Sequence, residues 1–145
     1  MSLRNLVGTS LDVVEPSRAT IARLLAGARR LLDDARSPVI SAETRFGAAY
    51  SAIRMIADAG LNANGLRTLT SRPGHHQTAI QSLTKTFAVP ADTVIVLDEF
   101  RKQRHLVEYT GEAVSESMVA ECIAEAEAVL MRAVDWLRAN RPDLI

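Results

Sequence analysis

Apolar residues return at intervals of three and four along most of the chain, the spacing that lines one face of an α-helix. Ile21, Leu24, Leu25, Ala28, Leu31 and Leu32 make the first such stripe, and Ser17 stands ahead of it as a cap, so a helix is predicted over residues 17–35. The stretch "RSPV" ends it, because the residue before Pro38 is pushed out of helical backbone. Ser41 caps a second stripe of Phe46, Ala49, Tyr50, Ile53, Ile56 and Ala57, with Ala42, Ala48 and Ala52 keeping the helix surface narrow. Gly60 and Gly65, with asparagines between them, suit a frayed end to that helix.

A third segment is predicted to start between Ser71 and Pro73, where a proline is tolerated in the first turn, and to reach Phe87. It carries His76, Ala79, Ile80, Leu83 and Phe87 on one side. "VPAD" closes it and opens a fourth, with Val94, Leu97, Phe100 and one of Arg101 or Arg104 sharing a face. The run "TVIVLDEF" also reads as a buried strand, but it would have no partner elsewhere in the chain. The longest clean period follows a cap at Ser115, from Val119 through Cys122, Ala126, Val129 and Ala133 to Trp136 and Leu137, with no glycine or proline before Pro142. The first 16 residues have no period and end at Pro16. They read as an arm that orders only by docking, which leaves one helical domain over residues 17–145. The expected fold is all-α, a four- to five-helix up-and-down bundle.

A chain of 145 residues buries about 70% of its unfolded surface and needs no covalent staples. Cys122 is the lone cysteine, so neither an internal disulfide nor a thiolate metal site is open to it, and its place on the apolar stripe makes it a small core residue. No window of 18 apolar residues and no cleavable leader pattern occur, from which a cytoplasmic protein with no membrane segment is expected. Net charge is zero, which argues against coating nucleic acid by bulk electrostatics. The charges are unevenly placed, however. Residues 17–36 hold five arginines against Asp33 and Asp34, and residues 115–135 hold four glutamates and Asp135 against Arg132, so these two helices are expected to pack against each other.

Two polar clusters carry chemistry. On the fourth helix, Arg101, Arg104, His105, Glu108 and Tyr109 fall at helical spacing on one broad face. A guanidinium there can fork onto a phosphate while an imidazole moves a proton near neutral pH. The same cations can instead complement the helix C-terminus, with Glu108 neutralising one of them. The second cluster, Arg72, His75 and His76, opens the third segment, where exposed amides and an arginine suit an anion. Adjacent histidines diverge on a helix, so only one of the pair is expected to face any given site. No metal and no cofactor are expected, since the three histidines form no HExxH pair and the chain has no glycine-rich phosphate loop or nucleophile elbow.

Taken together, "SAETRFGAAYSAIRM", "GLRTLTSRPGHHQTAIQSL", "LDEFRKQRHLVEYTG" and "VSESMVAECIAEAEAVLMRAVDWL" resemble the HEPN superfamily, in its branch of small stand-alone bacterial proteins, over residues 17–137. The resemblance implies a helical bundle that forms a homodimer. Many HEPN proteins are metal-independent ribonucleases of toxin or defence systems, often beside a nucleotidyltransferase-like antitoxin, and others are inactive binding modules. The family motif is an arginine, a polar residue such as asparagine, and a histidine after four to six intervening residues. Here Arg104 takes the arginine position, His105 stands where asparagine is usual, and Tyr109 stands where the histidine belongs; Arg101 has only three residues before His105. A phenol is a poor base at neutral pH, so the site reads as degenerate. Three readings stay open: a module binding RNA, a nucleotide or a protein partner, with Arg101, Arg72, His75 and His76 as ligand contacts; an endoribonuclease using Arg104 with His105 or His76; and a plain structural dimer.

Overall fold

The computed structural model describes residues 2–145, so of the predicted arm only Met1 lies outside the described residues. Among the described residues, six α-helices form an all-α bundle: α1 (Arg18–Ala35), α2 (Ala42–Ala63), α3 (His75–Gln81), α4 (Leu83–Thr86), α5 (Ala91–Thr110) and α6 (Glu116–Asn140). Three of the long ones start at the expected serines. The side chains of Ser17, Ser41 and Ser115 accept hydrogen bonds from the backbone amides of Thr20, Thr44 and Met118, each satisfying a first-turn donor that has no partner inside the helix. The stretch "TVIVLDEF" is helical, and α6 is the longest helix.

α2 is the axis of the core. Phe46, Ala49, Tyr50, Ala52, Ile53, Ile56, Ala57, Ala59 and Leu61 are all at most 1% exposed, so α2 is enclosed on nearly every side. The other long helices and α3 pack around it. The basic α1 and acidic α6 lie side by side, joined by an ion pair between Arg36 and Glu127, while Arg45 of α2 reaches Glu116 of α6 at 2.7 Å.

Four expectations need correction. The arm, expected to order only by docking, is docked, but it is not without regular structure: a 3-10 turn, Leu3–Leu6, leads to strand β1 (Leu11–Val13), which pairs antiparallel with β2 (Leu66–Thr68) and buries Leu11 completely. Strands of three residues are too short to show a period, and this pairing joins segments far apart in sequence. Gly60 frays nothing. It lies inside α2 at a close approach, where a Cβ would stand 2.6 Å from Thr86 Oγ1 and 3.0 Å from the Phe87 ring, and of the two glycines only Gly65, at φ +78°, supplies a turn. The third segment starts at His75, after Gly74 at φ +77°, so Pro73 precedes the helix. It also breaks at Ser82, whose hydroxyl donates back to the Ala79 carbonyl at 2.6 Å, a bond that bends helices, and α4 runs on from there. Cys122 is buried as expected, and burial pushes its thiol up to about 12. No helix among the described residues is long and apolar enough to cross a membrane.

Candidate functional site

An open cleft of about 500 Å³ lies where α2, α3 and α5 meet. α2 contributes Tyr50, Ser51 and Arg54, the start of α3 contributes His75, His76 and Gln77, and α5 contributes Arg101, Arg104, His105 and Glu108. Helical spacing explains each contribution. Tyr50 and Arg54 are one turn apart on α2, the ring buried in the core and the guanidinium partly exposed in the cleft lining. On α5, Arg104 and His105 lie three and four residues after Arg101, and Glu108 lies four and three residues after them, so all four share one broad face. Only Val94, Leu97 and Phe100 of α5 are buried, so its first half anchors the helix and its second half forms a wall of the cleft.

The three guanidiniums are held by acids on their own helices. Arg54 Nη1 donates to Asp58 at 3.2 Å, Arg101 uses Nε and Nη2 on Asp98, and Arg104 Nη2 lies 2.7 Å from Glu108. A guanidinium has five N–H donors in a fixed fork, so each bridge orients its arginine and leaves donors for a ligand. Arg104 is further seated by Gly47, where a Cβ would stand 3.3 Å from Nε, and by the Tyr50 ring, whose centroid lies 5.6 Å from Cζ. Burial pushes the Asp58 carboxyl up, and the Arg54 cation draws it back down in part.

The imidazoles are set differently. His75 Nδ1 is 3.3 Å from the Arg72 carbonyl, which can only accept, so Nδ1 carries the proton and Nε2 is left for a ligand. His76 stands edge-on to His75 at 4.5 Å, with Nδ1 at 3.5 Å from the Tyr50 hydroxyl. Burial, with the Arg54 and Arg104 cations around it and His75 beside it, lowers His76 to about 4, against an opposing pull from Glu108. Burial likewise raises the Tyr50 phenol to about 12, although Arg101, Arg54 and Arg104 pull it down. Near pH 7 the pair is therefore a neutral phenol facing a neutral imidazole: good hydrogen-bonding groups, but a weak acid beside a weak base.

Of the residues expected from sequence, Arg101, Arg104, His105, His75 and His76 line one cleft. Both adjacent histidines face it, against the expectation for one, because the cleft sits at the end of α3 and receives side chains from either side of its first turn. Arg72 is exposed and offers only its carbonyl, to His75. Tyr109 lies outside the lining, 75% exposed, with its ring centroid 4.5 Å from that of His105. Sequence reasoning missed Arg54, Tyr50 and Gly47; the one local signal was an arginine a turn after the tyrosine of the α2 stripe. Among the described residues no three His, Cys, Asp or Glu side chains gather as a metal-holding group. No protein-family model matches this chain, and no curated protein matches it.

Proposed function

We propose that the protein is a HEPN-like module that binds RNA through its phosphates, in the cleft between α2, α3 and α5. The observation that carries this reading is the convergence of Arg54, Arg101 and Arg104, from two helices, with His75, His76 and His105 around one open space. Three forked cations with donors to spare match phosphate oxygens, and the neutral His76 imidazole adds a hydrogen bond at little electrostatic cost. The intrahelical acids keep the arginines extended and in place before the ligand arrives, which lowers the entropy lost on binding. Titration of a labelled single-stranded oligoribonucleotide across a salt series tests it. Each phosphate neutralised contributes about −0.7 to the slope of log K against log salt, so engagement of three arginines gives a slope of about −2. Failure to bind at low salt, or a slope near zero, overturns the reading.

A second reading, metal-independent RNA cleavage, is favoured by the placement of Arg104 and three imidazoles in the same cleft. His76 is a feeble base as it stands, although a phosphate beside it would raise its affinity for a proton. Slow cleavage or none is the expected result with EDTA-treated protein on structured and single-stranded RNAs. Robust cleavage, lost in both Arg104→Ala and His105→Ala, would replace the binding module with an enzyme.

A further inference from the structure

Residues 101–110 of α5 hold no buried side chain, yet they are not uniformly polar. Arg101, Arg104, His105 and Glu108 turn to the cleft, and the adjoining strip carries exposed Leu106 and Tyr109. His105 belongs to both. It lines the cleft, and its ring lies against that of Tyr109, with centroids 4.5 Å apart and planes inclined at 34°. A lone exposed tyrosine is ordinary on a protein surface. An exposed ring pair continuous with a cleft of guanidiniums is a different object, because it sets an exposed aromatic face beside phosphate-binding groups.

We infer that the cleft's ligand is a single nucleic-acid strand, with one base laid on the His105–Tyr109 pair while a neighbouring phosphate is held by Arg54, Arg101 and Arg104. This rests on the phosphate-binding reading above and names the form of ligand it implies. An α-helix rises 1.5 Å per residue, so Tyr109 stands about 7.5 Å along the axis from Arg104. A ligand that uses both must present base and phosphate side by side. Duplexes keep their bases stacked inside and offer phosphates alone, whereas an unpaired strand can lay a base on an aromatic face. The ring pair is set in advance, four residues apart on one rigid turn, and reads a π-face rather than a hydrogen-bonding edge, so little preference among bases follows.

The test compares a labelled single-stranded decamer, an abasic decamer with the same phosphates, a duplex and a nucleoside monophosphate, by fluorescence anisotropy and competition. The base-bearing strand is expected to bind about fivefold or more tightly than the abasic one, as stacking of one base on an aromatic side chain provides. Tyr109→Ala and His105→Ala are expected to erase that advantage with unchanged melting temperature, and Tyr109→Trp to keep it. Equal binding of base-bearing and abasic strands, an advantage untouched by Tyr109→Ala, or equal binding of duplex or monophosphate overturns the inference while leaving the phosphate reading in place. Failure of every ligand to bind overturns both.

Discussion

Replacing Arg104 with alanine is expected to weaken oligoribonucleotide binding roughly ten- to a hundredfold, the cost of one charge-assisted hydrogen bond to phosphate of about 1.5–3 kcal/mol. Arg104 is the arginine of the cleft most fully positioned by its surroundings: Gly47 makes room for Nε, the Tyr50 face lies against the guanidinium, and Glu108 holds Nη2. The fold should lose little. Glu108 is 47% exposed, so the pair is screened by water, and with the ring contact it supports the fold by about 1 kcal/mol, which moves the melting point of a chain this size by about 2–4 °C. Glu108→Gln should act in the opposite direction on binding, raising affinity about two- to fivefold, because the amide oxygen can still accept from Nη2 and orient Arg104 while the one carboxylate charge lining the cleft is removed. Anisotropy titrations with thermal melts on the same samples separate the effects. Unchanged affinity in Arg104→Ala rules out its contact with phosphate, and a melting point lowered by ten degrees or more makes the residue structural instead.

The dependence of this site on tertiary packing explains what could be read in advance. Local signals were legible because the chemistry is local: serine caps bond to amides three residues away, and apolar stripes need only the period of their own helix. Gly60 and Gly65 look alike in sequence, yet one opens space for Thr86 and Phe87 and the other makes a left-handed turn, and only the packed chain distinguishes them. The polar residues of α5 and α3 stood out as clusters within a few positions. Arg54 did not, because it becomes part of a cluster only when α2 packs against α3 and α5. Gly47 carries no chemistry of its own and matters only for what lies against it.

The anchoring of α5 also links stability to the site. Phe46 of α2 is fully buried and meets Phe100 of α5 edge to face, with ring centroids 6.1 Å apart. Phe46→Ala is expected to destabilise the fold by about 3–5 kcal/mol, since it removes a large buried ring, leaves a cavity and forfeits the aromatic pair. Against a total stability of about 5–15 kcal/mol this is a large fraction, and a fall in melting temperature of roughly 6–20 °C follows. Phe46→Leu keeps most of the volume and should fall in between. The loss should not be spread evenly. Val94, Leu97 and Phe100 are the only buried residues of α5, so a gap beneath Phe100 loosens the helix that carries Arg101, Arg104 and His105, while α1 keeps its own contacts along α2. Amide hydrogen exchange well below the melting point should therefore quicken in α5 before α1, and oligonucleotide binding should weaken under conditions where the protein is still folded. A variant that melts early but exchanges uniformly and binds as the parent does would show that the cleft is organised without Phe46, and that Tyr50, Gly47 and the intrahelical carboxylates suffice to hold the arginines.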